Sequence, residues 1–340
     1  MALYQKIEGK YNQMNIEVIS HEIINHEQIN HEQINHEQIN HELINHEIIN
    51  HEHIRQKNVS LDMSLLSAGY QGIRGAYSEE ALISYFGEEI QAQAFDTFEG
   101  VFKAVRDGKI HYGVVPVENS STGDIKDVYD LLIAHDLKVV GEQYLQIKHH
   151  LLGLPGSLVG DIQKVYSHTQ GIEQCGSFLS THPAITPVAY SNTAKSAALV
   201  EATGDKHITA IGSRRAAVIY NLAILKENIQ DNVTNSTRFL VIAKDHEPKA
   251  EADRLSLVFS LPHKAGALYH ALEKFAVHDV NLLRIISRPI KNKPWFYFFF
   301  VDVAGNLAAP EIVTAIEEVK DMSEYFAVLG NYKENSMQRE

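Results

Sequence analysis

From Met63 onward the chain alternates short apolar strands with amphipathic helices, and this order limits the possible folds more than any other feature. "MSLLSAGY" (63–70) reads as a strand, "SEEALISYF" as a helix capped at Ser78, "QAQAF" as a strand and "TFEGVFKAVRDG" as a helix ended by Gly108. "HYGVVPVEN" is a strand that Pro116 ends, "DIKDVYDLLIAH" a helix, and "LKVVGEQYLQI" a long strand leading to "KHHLLG". The alternation runs on through helices expected from Gln170, Thr193 and Arg214 to a strand beginning at Thr237. Such repetition predicts an α/β protein with a twisted, largely parallel sheet covered by helices, and the number of units suits two lobes. Ligand sites then belong at strand ends between the lobes.

The charged stretch "DHEPKAEAD" (245–253) has no apolar period and reads as a linker. Beyond it the order becomes β-α-β-β-α-β over 254–333, a ferredoxin-like arrangement with one sheet face left open. "WFYFFF" is too apolar to leave that face wet, which suggests pairing with a second copy.

Residues 1–62 have a different character. Between His21 and Arg55 the chain holds seven copies of a five-residue unit, HEIIN, HEQIN three times, HELIN, HEIIN and HEHIR. Five residues advance a helix by about 500°, so successive histidines do not share a face. Asn30 stands where an HExxH zinc helix needs its second histidine. The repeat therefore reads as a solvated or loosely helical extension, with no metal site expected. No run approaches the roughly 18 apolar residues of a membrane span, so neither a membrane nor a signal is expected and the cytoplasm is the default. One cysteine, Cys175, cannot form an intrachain disulfide or a thiolate cluster. A net charge of −13 argues against nucleic acid as a partner.

Polar residues gather at five strand–helix junctions: "GYQGIRGAYSEEA", "VPVENSSTG", "SHTQG", "SNTAKSAA" and "NSTRF". Each alone is explained by capping and turns, since Ser, Thr and Asn cap helices everywhere. Together, at the ends of one sheet, they offer hydroxyls, backbone amides and Arg238 to a carboxylate-bearing ligand. The spacing of Gly69, Gly72 and Gly75 is not that of a dinucleotide loop, and no cofactor is expected.

The order of "GIRGAYSEEA", "VPVENSSTG", "SHTQGIEQC", "TAKSAA", "NSTRF", "GALYHAL" and "SRP" over about residues 63 to 333 resembles prephenate dehydratase with a C-terminal ACT regulatory domain. The resemblance implies a two-lobed, periplasmic-binding-protein-like catalytic domain (63–244), a linker (245–253) and a ferredoxin-like βαββαβ ACT domain (254–333). It implies decarboxylating dehydration of prephenate to phenylpyruvate, with Thr237 and Arg238 as catalytic residues and Arg238 on a substrate carboxylate. Phe239, Asn119, Ser120, Ser167, His168, Gln170, Thr193 and Ala194 would bind the substrate, some through backbone amides. L-Phenylalanine would regulate through Gly266, Ala267, Leu268, Ser287, Arg288 and Pro289, in a homodimer or homotetramer built through ACT domains. Three positions depart from the family pattern: Thr169 and Ala265 replace prolines, and Ile286 replaces a glutamate. Arogenate dehydratase, the same elimination on an amino-bearing substrate, is an alternative, as is a non-catalytic two-lobed sensor.

Overall fold

The computed structural model describes residues 63–245 and 250–335; the extension with its repeat and part of the expected linker lie outside them. The first lobe is built on β1 (Ser67–Gln71), β2 (Gln91–Phe95), β3 (Tyr112–Asn119), the short β4 (Gly123–Asp124) and β5 (Lys138–Gln146). Helices α1 (Tyr77–Phe86), α2 (Phe98–Arg106) and α3 (Lys126–His135) cover it. Thr97 caps α2 by accepting the Gly100 amide at 3.1 Å. The expected cap at Ser78 is displaced: α1 starts after Ala76, Ser78 lies inside its first turn, and the Glu79 carboxylate takes the Gly75 amide instead.

Through residues 147–149 the chain passes into a second sheet of β6 (His150–Gly153), β7 (Lys164–Ser167), β8 (Thr186–Ala189), β9 (Ile208–Gly212) and β10 (Ala223–Lys226). With it go α4 (Thr169–Glu173), α5 (Gly176–Ser180), α6 (Thr193–Thr203) and α7 (Arg214–Ile219). Residues 227–235 then carry the chain back to β11 (Ser236–Ala243), which enters the first sheet between β3 and β5 in the order β2-β1-β3-β11-β5.

This return corrects the expected largely parallel sheet. β11 runs antiparallel to both its neighbours, and in the second sheet β6 is antiparallel to β9 and β10. An apolar run buried on both faces carries no sign of its direction, and every residue of β11 is buried. Pro116 does not end its strand either. β3 continues to Asn119, and the register skips there, pairing Arg238 with Glu118 and Phe239 with Pro116. A bulge tolerates a residue that has no N–H to give to the ladder.

The C-terminal part follows the expected order: β12 (Arg254–Ser260), α8 (Ala267–Val277), β13 (Leu282–Pro289), β14 (Tyr297–Ala304), α9 (Pro310–Asp321) and β15 (Tyr325–Tyr332). Its antiparallel sheet has the order β13-β14-β12-β15. One face buries Leu255, Leu257, Phe259, Val301 and Val303 under the two helices. The other face, expected to meet a second copy, lies on the chain's own first lobe, where Val258, Phe300, Leu329 and Tyr332 share a core with Phe102, Leu132, Val139 and Leu240. Gly330 permits the approach, because a Cβ there would lie 1.9 Å from the Val139 carbonyl oxygen.

Candidate active site

A cleft of about 410 Å³ opens between the two sheets. Thr237, Phe239, Asn119 and Pro116 form its wall on the first lobe, and His168, Gln170, Asn192 and Thr193 form it on the second. At the hinge, where β5 passes into β6, Ile147 and His149 line it.

Period-two alternation along β11 turns Thr237 and Phe239 toward the cleft. The Asn119 amide fixes the hydroxyl: Nδ2 donates to Thr237 Oγ1 at 2.9 Å and to Asn235 Oδ1 at 2.8 Å. Asn119 Oδ1 in turn accepts from the Ser121 and Thr122 amides at 3.0 and 3.1 Å. With its oxygen occupied as an acceptor, Thr237 has its own proton free, and no partner takes that proton among the described residues.

Arg238 must be reassigned. The same alternation that aims Thr237 at the cleft aims Arg238 at the C-terminal sheet, where it is buried. Its Nε donates to Glu142 at 2.7 Å, Nη1 to Asp302 at 2.6 Å and Nη2 to the Tyr332 hydroxyl at 3.1 Å. Burial alone would lower the Arg238 pKa; Asp302, Tyr332 and Glu142 outweigh it and raise the value. Burial pushes the Glu142 carboxyl up, with Arg238 and Arg254 pulling against it.

Three further expected residues stay out of the cleft lining. Ser120 zips its loop to β11, donating its amide to the Ser236 carbonyl at 2.8 Å and accepting the Ser236 amide on Oγ at 2.9 Å. Ser167 is fully buried and its hydroxyl donates to the Ile211 carbonyl at 3.1 Å. Ala194, in the first turn of α6, is buried as well. Short polar side chains beside a strand end are needed for loop closure as often as for ligands, which is why position alone overestimated them.

Among the described residues that line the cleft there is no lysine or arginine. Helix starts supply the positive potential. α6 begins at the cleft, with its Lys195 amide bonded to Asn192 Oδ1 at 2.7 Å and its Ser196 amide to the Asn192 carbonyl at 3.1 Å. The Thr193 and Ala194 amides are left as donors at a positive helix end. Ala76, Tyr77 and Ser78, at the start of α1, reach the same space, as does Gly72 with φ +121°. The other two glycines of that stretch, Gly69 and Gly75, do not line the cleft. Gly69 instead makes room for Ile110 and Phe95, and Gly75 for Ala216 of the opposite lobe. Around that contact Ser213 Oγ donates to the Gly75 carbonyl at 3.1 Å and Arg215 pairs with Glu79 at 3.2 Å, holding the lobes together.

His149, Tyr77 and Gln174 were missed. His149 lines the cleft between Gln174 Oε1 at 2.9 Å and the Tyr77 hydroxyl at 2.8 Å. Burial lowers the His149 pKa, so the ring is neutral, and burial raises Tyr77 well above its ordinary value, so the phenol keeps its proton. The signal was the histidine pair in "KHHLLG", at the point where one sheet hands the chain to the next. Burial pushes the Cys175 thiol up to about 12, which leaves no thiolate nucleophile there.

The expected regulatory residues are neighbours in the C-terminal domain without all lining one cavity: Ser287 and Pro289 pair across strands with Phe299 and Tyr297, which line the cavity that holds Ala267 and Leu268. Ala267 and Leu268 line a cavity of about 130 Å³ with Pro262, His263, Trp295 and Phe296, beside Gly266 at φ +80°. Ser287, Arg288 and Pro289 lie on the edge strand β13, and Arg288 Nη2 pairs with Asp130 of α3 at 3.2 Å. Ile286 packs against the first-lobe core and is not among the residues of that cavity.

Two α/β lobes closing on a cleft of hydroxyls, amides and helix starts define a protein that handles a small organic anion without a lysine or arginine among the described residues of the lining. A family model for prephenate dehydratase matches residues 68–247, and the chain belongs to the prephenate dehydratase family. It is 36% identical over 274 residues to a bifunctional chorismate mutase/prephenate dehydratase of Aquifex aeolicus, covering 80% of this chain and 75% of that one. It is also 36% identical over 287 residues to arogenate dehydratase/prephenate dehydratase 1 of Arabidopsis thaliana, covering 80% and 73%. The crystal structure of prephenate dehydratase from Arthrobacter aurescens in complex with L-Phe superposes with a TM-score of 0.73 at 27% identity, covering 79% and 90%. Among the described residues no helix is long and apolar enough to cross a membrane.

Proposed function

We propose that the cleft converts prephenate to phenylpyruvate, with Thr237 as the donor to the departing oxygen. The carbon–carbon bond to the ring carboxylate breaks and CO2 leaves. Its electron pair enters the ring, the bond to the ring hydroxyl breaks, and hydroxide leaves as water with one proton taken up. Aromatisation drives the step downhill, so the site has mainly to assist the leaving hydroxide. The observation that carries the reading is Asn119 Nδ2 donating to Thr237 Oγ1 at 2.9 Å, which frees the threonine proton for the cleft. A positioned donor of this kind is worth about 2.7 to 4 kcal/mol in the transition state. Thr193 at the start of α6 suits a carboxylate, His168 and Gln170 complete the wall opposite Thr237, and Phe239 supplies an apolar surface for the ring.

In this reading residues 63–244 are the catalytic domain, 254–333 an ACT domain that takes L-phenylalanine, and 1–62 an extension dispensable for turnover. Phenylalanine binding calls on Gly266 to Leu268 and on Ser287 to Pro289. A homodimer or homotetramer paired through the C-terminal domains is part of this reading. The enzyme is assigned to the cytoplasm, in keeping with a single buried cysteine.

The Arabidopsis relative supports a second substrate, arogenate, which carries an amino group where prephenate has a keto group. Purified protein given the two substrates in separate assays decides the matter: phenylpyruvate formed with the higher kcat/KM is the expected result. Higher kcat/KM for phenylalanine formed from arogenate transfers the assignment to the second substrate, and neither product would refute the lyase reading.

A further inference from the structure

Thr237 and Asn119 face each other across β11 and β3, and the next cross-strand pair is Arg238 and Glu118. The first pair is at the cleft. The second pair is gripped from the C-terminal sheet, by residues of opposite sign to each member. Asp302 of β14 takes Arg238 Nη1 at 2.6 Å, and Arg284 of β13 pairs with Glu118 at 3.2 Å and with the neighbouring Asp124. Each contact is braced: Ser256 Oγ of the same sheet donates to Asp302 Oδ1 at 2.5 Å, and Tyr129 of α3 in the first lobe holds the Arg284 guanidinium 5.5 Å from the centre of its ring.

We infer that Asp302 and Arg284 form a charge-complementary clamp that sets the position of the Thr237 hydroxyl, so that Arg238 and Glu118 are positioning residues acting through the adjacent Thr237–Asn119 pair. The inference rests on the reading of Thr237 as the donor to the leaving oxygen. Its physical basis is short. Neighbouring residues on one strand share a backbone that cannot move at one and stay fixed at the next, and the bulge beside Arg238 removes part of the ladder that would otherwise hold the register. A misplacement of about 1 Å can cost 10²-fold in rate. The sheet that carries the clamp also carries the cavity at Ala267 and Leu268, so any rearrangement of that sheet reaches Thr237 through two ion pairs.

The test is steady-state kinetics on Asp302→Asn, Arg284→Gln and each combined with Thr237→Val, in the full-length enzyme. Each single clamp variant should lower kcat about tenfold with KM within about twofold, the pattern of a lost transition-state interaction. Combined with Thr237→Val, neither should lower kcat further, because groups acting through one residue are not additive. Should Asp302→Asn fail to fold, Tyr332→Phe removes one contact to Arg238 and is expected to show the same split at smaller size. Wild-type kcat in folded clamp variants, or a loss that multiplies with that of Thr237→Val, overturns the clamp while leaving Thr237 in place. Wild-type kcat in Thr237→Val overturns the reading beneath it, and the clamp with it.

Discussion

On one face of β11, Thr237 and Phe239 look into a cleft with no lysine or arginine among the described residues of its lining; on the other, Arg238 sits in a buried network with Glu142, Asp302, Tyr332 and, through Glu142, Arg254. Neighbouring residues of one strand thus serve opposite ends. Neutral donors and helix starts are used where a charged substrate must come and go, and full charges are used where nothing should move. A buried cation in the cleft would bind a dianion tightly in the ground state, and equal binding of substrate and transition state does not raise kcat. A buried ion pair between two sheets, by contrast, is costly to break from either side.

The largest effect should come from the charged face. Arg238→Met leaves Glu142 and Asp302 without their shared partner, and removing one member of such a group costs about 3 to 5 kcal/mol. Urea unfolding should show it as a lower midpoint. A change of under about 1 kcal/mol would place the network among weak surface-type pairs.

On the neutral face, Thr237→Val should lower kcat about 10²- to 10³-fold, the range for one lost donor, with KM nearly unchanged. Turnover near that of the wild type would remove Thr237 from the chemistry.

Between the two faces lies the seam where Gly330 touches β5. Gly330→Ala puts a Cβ into the Val139 carbonyl, and overpacking of this kind costs about 1 to 3 kcal/mol. Calorimetric unfolding at neutral pH should report a lower Tm, and an unchanged Tm would mean the seam opens freely.

The smallest effect is electrostatic and lies in the hinge. Burial lowers the pKa values of His149 and His150, so the unfolded chain binds protons more readily than the folded one. Their contribution is present above the unfolded value of about 6.5 and is lost as pH falls through the folded values, with a slope up to about 1.4 kcal/mol per pH unit for each ring. Urea titrations from pH 7.5 to 5 should show a shallower decline in His149→Gln than in the wild type. Equal slopes would mean that His149 opens to solvent before it titrates.

Much of this arrangement was legible in the sequence. Thr237 lay among the polar residues of "NSTRF" and was singled out by the family resemblance, and the βαββαβ order after residue 253 carried through unchanged. Other parts were legible and misread. Period two alone separates Thr237 from Arg238, yet adjacency in "NSTRF" drew both toward one ligand. What local pattern does not carry is the partner of a surface. The apolar "WFYFFF" segment announced that its sheet would be covered, but only the packing of Phe300 beside Tyr129, at 4.9 Å between rings, shows the cover to be the first lobe. His149 was hidden for a related reason, since a histidine in a short passage between two strands reads as a connection until the second sheet folds across from it.

The account turns on which face of β11 meets the substrate, and Arg238→Lys measures that directly. An ammonium cannot reproduce the forked contacts of a guanidinium, so any carboxylate that Arg238 held would be released. With Arg238 turned to the C-terminal sheet, prephenate kinetics should give a KM within about twofold of wild type, with the loss in kcat and in thermal stability. A KM raised about tenfold or more, at unchanged kcat and Tm, would put Arg238 on the substrate and contradict the division of the two faces.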